Sequence, residues 1–243
     1  MKHLPIIALA ALTLSACAST PYVPTLYDAS TANVKTIAIA DDALPEKIGA
    51  NELASHTGTA QAAGGLIGFA VAAAMEGMET SSRVGNLAEI LEPMGFDAEA
   101  EFEKMLTTKL AAAGYAGTNV VGGMRKKRGP LEAFPETTAD AILDVHMNSF
   151  GMQKAKTGEE WRPAAGVTVQ LVSTADDRIL MDNVISYNSG VTGSNKTEGI
   201  IVMSPDADSV GYMKIKEMEG PVVVAEMRKM LDEITTTVVA LLK

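Results

Sequence analysis

Apolar and polar positions along the 243-residue chain alternate with two different periods, and each period marks a different element. Val34-Lys35-Thr36-Ile37-Ala38-Ile39-Ala40, rich in β-branched residues and ended by Asp41-Asp42, predicts a first strand. Thr138 to Met152 predicts a long strand, with Ala141, Leu143, Val145 and Met147 on one side. Its other side carries Asp144, His146 and Asn148 amid Ile142 and Phe150. Trp161 to Thr174 and Arg178 to Asn188 continue as two more strands. Ala175-Asp176-Asp177 turns between them, since Asp bonds to its own backbone. These three strands form an antiparallel meander with one apolar and one mixed face.

The other period is helical. Asp97 to Ala113 places Phe102, Met105, Leu106, Leu110 and Ala113 on one stripe. Asp97 caps it, Glu99 and Glu101 suit its positive end, and Gly114 stops it. A short strand from Tyr115 to Val121 follows. Pro221 opens a last helix to Leu242, whose Val224, Met227, Leu231, Ile234, Val238 and Leu241 face the sheet. Gly190 to Ser204 reads as a polar loop, and Pro205 to Tyr212 as a short helix. The fold class expected is α/β (α+β): a mixed, largely antiparallel sheet of four to five strands, packed by two long helices, plus a Gly/Ala-rich helix.

That last helix comes from Thr57 to Met75, which holds no formal charge. Ala60, Gly64, Gly68 and Ala72 recur every fourth residue, so small side chains line one face and admit a second backbone closely. Two readings stay open. The helix packs within the domain or against a partner, or Gly64, Gly68 and Ala72 serve self-association or membrane contact. Much of the run is Ala and Gly with few large apolar residues, which is weak hydrophobicity for hydrocarbon.

The amino terminus has a third pattern. Lys2 precedes a nine-residue apolar run, Ile6 to Leu14, and small residues Ser15 and Ala16 lead to Cys17, the chain's one cysteine. Charge, apolar core and small-residue cleavage site are the order of a secretory leader. Nine residues are too few to cross a bilayer core, which takes about 20. Leu14-Ser15-Ala16-Cys17 resembles the lipobox of bacterial lipoproteins at every position. The resemblance implies cleavage before Cys17, diacylglycerol on its sulfur and an acyl chain on its amino group. No other cofactor and no metal is expected. Ala18, where an aspartate would direct retention, favours the periplasmic face of the outer membrane. The division expected is residues 1–16 as signal peptide, 17–33 as a lipidated tether and 34–243 as a single α/β periplasmic domain. Pro21, Tyr22, Pro24 and Tyr27 suit an extended tether.

Charge narrows the partners. Without residues 1–16 the chain keeps 19 Lys and Arg against 30 Asp and Glu, a formal charge of −11. Nucleic acid, whose phosphates demand clustered cations, is thereby disfavoured. With Cys17 consumed by lipid no intrachain disulfide remains, so packing alone must hold the fold. Arg125-Lys126-Lys127-Arg128 is the one basic cluster: a solvated loop, or a contact patch for anionic headgroups or an acidic partner.

Catalytic signatures are not legible. The sequence contains no Gly-x-Ser-x-Gly elbow, no phosphate-binding glycine loop, and no His or Cys at ligand spacing from His56 or His146. Asp206-x-Asp208 begins like a calcium loop, but Val210 stands at the third ligand position. Asp41-Asp42 follows the first strand, where α/β folds often place ligands, and also suits a solvated strand end. Asp144, His146 and Asn148 form the best polar cluster on a sheet face.

The order of elements is similar to a group of bacterial envelope lipoprotein domains. It includes the curli-secretion channel subunit, the lipoprotein activators of penicillin-binding proteins and the amino-terminal domain of the Tol-system translocation protein. The resemblance rests on Lys35–Ala40, Phe102–Tyr115, Ala139–Phe150 and the hairpin Val167–Tyr187. Gly64 to Gly68 followed by Arg83 also looks like a segment of uncharacterised lipoproteins of this type. What the resemblance implies is a mixed sheet flanked by helices, with binding or assembly roles and no catalytic residues. The function expected is therefore non-catalytic protein–protein contact in envelope assembly or maintenance, with an envelope protein or a second copy as partner. Rivals are a self-assembling membrane component built on residues 57–75, and a ligand-binding or hydrolytic domain using Asp144 and His146.

Overall fold

A computed structural model of the chain describes residues 22–46, 48–52, 87–118, 120–125, 129–154, 160–188, 200–203, 211 and 214–243. The fold is mixed α/β. Its elements are α1 (Ala29–Ala32), β1 (Ile37–Ala40), β2 (Gly49–Glu52), α2 (Ala98–Ala112), β3 (Val120–Val121), β4 (Met124–Arg125), β5 (Leu131–Ala133), β6 (Ala141–Lys154), β7 (Arg162–Ser173), β8 (Ile179–Tyr187), β9 (Ile200–Met203) and α3 (Gly220–Ala240). Residues 87–91 are helical and run into a short 3-10 turn, Glu92–Met94.

Among the described residues one sheet has seven strands in the order β3-β1-β6-β7-β8-β9, with β2 also on β6. The expected meander is present: β6–β7 and β7–β8 pair antiparallel, with Asp144 opposite Gln170 and His146 opposite Thr168. The sheet is more parallel than expected, since β1–β3, β1–β6, β2–β6 and β8–β9 all pair parallel. Helix α2 lies in the connection between β1 and β3, as a parallel pair requires. Strand β9 falls inside the stretch expected to be loop, where Ile200 to Met203 form an apolar run of four.

The main core lies between one sheet face and the two long helices. Ile37 and Ile39 of β1, Leu143, Val145 and Met147 of β6, and Val167, Val169 and Leu171 of β7 meet Phe102, Leu106 and Leu110 of α2 there. Met227, Leu231, Ile234 and Val238 of α3 join them. Each such large apolar side chain contributes on the order of 2 kcal/mol when removed from water. Asp97 caps α2 as expected, its carboxylate accepting from the Ala100 amide at 3.0 Å. The α2 stripe is narrower than its pattern: Met105 is half-buried and Ala113 exposed.

Two local devices shift the pattern. A β-bulge between Met147 and Ser149 switches the parity of β6. Phe150 and Met152 therefore join the helix-facing core, and Phe150 does not share a face with Asp144. Strand β1 starts at Ile37 because Asp140 caps its entry: its Oδ2 accepts from the Lys35 and Thr36 amides and the Thr36 hydroxyl, all at 2.8–2.9 Å.

The amino-terminal segment differs most from expectation. Residues 22–33 are docked on the domain and do not form a free tether. Thr25 and Asp182 exchange both backbone hydrogen bonds at 2.9 Å, adding the segment to the outer edge of β8. The Tyr22 hydroxyl donates to Asp182 Oδ1 at 3.3 Å, and Tyr27, Ala32 and Val34 pack against the core. Extended tethers need residues that bury nothing; Tyr27 and Val34 are apolar enough to stay down.

Candidate functional site

Two groups of polar side chains meet at the carboxyl end of β1. On the helix side, Asp41 at the strand end approaches Glu99 and Glu103 on the first two turns of α2. Their carboxylate oxygens all lie within 4.8 Å of one another. Glu99 also pins the chain after β1, accepting from the Ala43 amide at 2.9 Å and the Leu44 amide at 2.7 Å. Burial raises the Glu99 carboxyl above its ordinary value, more than these two bonds lower it, and the charges of Asp42 and Asp41 add to the rise. Glu103 is pushed up to about 7, first by burial, then by its hydrogen bond to Asp41 and the charges of Glu99, Asp41 and Asp97. Of the three, Glu103 is thus the carboxyl moved furthest toward neutral pH. Three oxygen donors this close also suit a hard divalent cation in type, calcium or magnesium.

Across the sheet, Arg125 fills the space behind Asp41. Its Nη1 lies 2.6 Å from Asp144 Oδ1, with the two side chains 6% and 1% exposed. Nη2 and Nε donate to the Asp41 carbonyl at 3.1 and 3.3 Å, and Nη1 donates to the Gly129 carbonyl at 3.4 Å. Asp144 Oδ2 accepts from the buried Leu131 amide at 2.8 Å. One guanidinium thus ties the β4–β5 hairpin to β6 and holds the backbone that carries Asp41. Arg forks suit such multiple acceptors, where a Lys would serve as a point charge only.

Arg125 was expected in a solvated loop or a contact patch, and it forms neither. It is turned inward, because Asp144 on the mixed face of β6 requires a cation. Lys126, Lys127 and Arg128 lie outside the described residues, as do Cys17 and the whole 57–75 stretch with Gly64, Gly68 and Ala72. Asp144 and His146 are both buried, and Asn148 falls at the bulge and half-exposed. They share a strand and no common solvent-facing site. Asp41 was read as either a ligand position after the first strand or a solvated strand end, and Glu99 as a helix-end charge. Glu103, on the helix turn after Glu99, was missed. Its spacing of four from Glu99 was the available signal, as i,i+4 side chains lie side by side.

A second concavity of about 370 Å³ opens at the β7–β8 turn, lined by Phe134, Glu136, Thr137, Ser173, Thr174 and Asp177. Its hydroxyls are engaged by the fold itself: Thr174 donates to the Ala139 carbonyl at 2.6 Å, and Ser173 accepts from the Ala175 amide at 3.3 Å.

No family profile matches the chain, and no curated protein matches it. Among solved structures, protein XCC0632 from Xanthomonas campestris, of the family DUF330, is 12% identical with a TM-score of 0.34. The match covers 59% of this chain and 59% of that one. The PelC dodecamer from Paraburkholderia phytofirmans is 12% identical with a TM-score of 0.30, covering 87% of this chain and 94% of that one. At these values the likeness is one of general outline, and nothing about function follows from it.

Proposed function

We propose that this protein is a lipid-anchored component of the bacterial envelope, held at the periplasmic face of the outer membrane, that acts by contact with other proteins and carries out no chemistry of its own. The observation that carries the reading is Leu14-Ser15-Ala16-Cys17 at the end of a short apolar run, with the chain's one cysteine at the modified position. The docked start of the domain at Tyr22 agrees with it, since a globular unit begins five residues later. Several acyl chains on one residue, at about 0.8 kcal/mol per buried methylene, hold a protein far more firmly than one reversible chain. The domain offers a mixed sheet with two helices on one face and a smaller apolar cluster under the β4–β5 hairpin on the other.

Two experiments test the reading. Fractionation of cells carrying Cys17→Ser should move the protein from the membrane to the soluble pool; a variant that still sediments with membranes, with its signal peptide removed, contradicts the anchor. Crosslinking in intact cells should then trap a distinct envelope protein. If it yields only copies of this chain, and Gly64→Leu with Gly68→Leu abolishes them, the self-assembly reading replaces the partner reading.

A further inference from the structure

Tyr22 to Leu26 are held on the domain differently from the residues that follow them. The Thr25 and Asp182 backbones exchange two hydrogen bonds of 2.9 Å. The Tyr22 hydroxyl donates to Asp182 Oδ1 at 3.3 Å, and Asn183 Nδ2 donates to the Thr25 carbonyl at 3.4 Å. All four contacts end on Asp182 and its neighbour in β8. Apolar burial adds little to them. Val23 and Leu26 are 75% and 74% exposed, and Tyr22 and Pro24 are half-buried. The first described residue from this end to pack against the main core is Tyr27, followed by Ala32 and Val34.

A segment that buries little and is held by hydrogen bonds at a sheet edge opens far more readily than the core. Five ordered residues give up backbone freedom of the same order as four such bonds return. Opening also leaves the sheet intact. Thr25 forms an isolated bridge, β9 pairs with Val184 to Tyr187, and β7 pairs along the other side of β8.

The place of the segment in the chain gives its opening a consequence. Tyr22 stands five positions beyond Cys17, and Tyr27 stands ten. An extended chain covers at most about 3.6 Å per residue, so the reach from Cys17 is roughly 18 Å to Tyr22 and roughly 36 Å to Tyr27. We propose that residues 22–26 are a releasable strap, which docks on β8 at Asp182 or peels back to Tyr27, and so gives the domain two standoff distances from the membrane that anchors it. The inference rests on acylation of Cys17. A pull between domain and anchor loads the Tyr22 and Thr25 bonds first, because they lie between Cys17 and the packed Tyr27.

The test uses the acylated full-length protein on vesicles of phosphatidylethanolamine and phosphatidylcholine, read by residue-resolved hydrogen exchange. The Thr25 and Asp182 amides should share one opening constant, about a hundredfold or more above that of the central β7 amides. Tyr22→Phe removes one bond and should speed both about 2- to 10-fold, with β7 unchanged. Thr25→Pro removes the donating amide and should release the strap outright. A donor dye at Ala29→Cys, exposed on α1 beyond Tyr27, then reports the standoff by energy transfer to acceptor lipids, since lipid blocks Cys17 and leaves one free thiol. Transfer should fall about twofold or more in Thr25→Pro, as the allowed reach doubles. Thr25 and Asp182 amides as slow as those of β7 overturn the proposal, and so do β7 amides that speed up with Tyr22→Phe, because the segment then belongs to the cooperative fold. Energy transfer unchanged by Thr25→Pro overturns it as well and leaves the anchor standing. Failure of the anchor reads separately, as protein left in the supernatant, and removes this proposal with it.

Discussion

At the residue scale the buried pair Arg125–Asp144 makes the sharpest demand on the fold. A buried ion pair is a modest source of net stability, but removing one partner strands the other in low dielectric. Arg125→Met is expected to cost about 3–5 kcal/mol, the usual penalty for an uncompensated buried charge. Asp144→Asn in the same chain should recover a good part of it, since the amide oxygen still accepts from Leu131 and no charge is left alone. Denaturant titration of both variants reads the coupling. The carboxylates beside Asp41 behave oppositely. Glu103 has its folded-state value raised to about 7 from 4.5, so the folded state holds its proton more tightly than the unfolded chain. Its contribution is fully present below about pH 4.5 and is lost as pH rises through 7. Thermal unfolding should therefore show stability falling between pH 5 and pH 8. Glu103→Gln should flatten that slope and stabilise the protein at pH 8 by about 0.5 kcal/mol, the size of one relieved like-charge pair on a helix. A slope unchanged by Glu103→Gln contradicts the raised Glu103 carboxyl.

Strand β6 carries the lesson of the element scale. Its first half obeys the alternation written in Ala141, Leu143, Val145 and Met147, and that half was legible without coordinates. The bulge at Asn148 was not, since one extra residue in a polar stretch leaves no mark on period-two counting. The same holds for Arg125: four adjacent basic residues look solvated, and only the ion pair from the β4–β5 hairpin to Asp144 on β6 shows one of them buried. Helices α2 and α3 were read nearly residue by residue because cap, charge and stripe agree. The amino-terminal segment was misread, as Pro and Tyr suggest extension, and extension is equally what an added edge strand uses. Gly151 is the matching case on β6. Its φ of 147° lies where side chains are rarely tolerated, and a Cβ there would be driven into the Gly49 backbone on β2. Gly151→Ala should cost about 3 kcal/mol, from strain and overpacking together. Calorimetry that finds it neutral would show that β2 does not lie against β6 as described.

At the scale of the whole molecule, helices cover one face of the sheet, while the other carries a smaller apolar cluster of Ala38, Ala40, Leu131, Ala139 and Ile142 beside the buried pair Arg125–Asp144. Such a body has an orientation only if something fixes one end, and the docking of Tyr22 and Thr25 transfers any restraint on Cys17 directly to the edge at β8. The acidic balance of the chain, a formal charge of −10, opposes attraction to anionic lipid. Whether that restraint exists is decided by the chemical state of one residue. The most direct measurement is mass spectrometry of the amino-terminal peptide from protein extracted from cell membranes. The account predicts a peptide that begins at Cys17 and carries the mass of a diacylglycerol and an amide-linked acyl chain. A peptide that retains residues 1–16, or that carries a free Cys17 thiol, contradicts it.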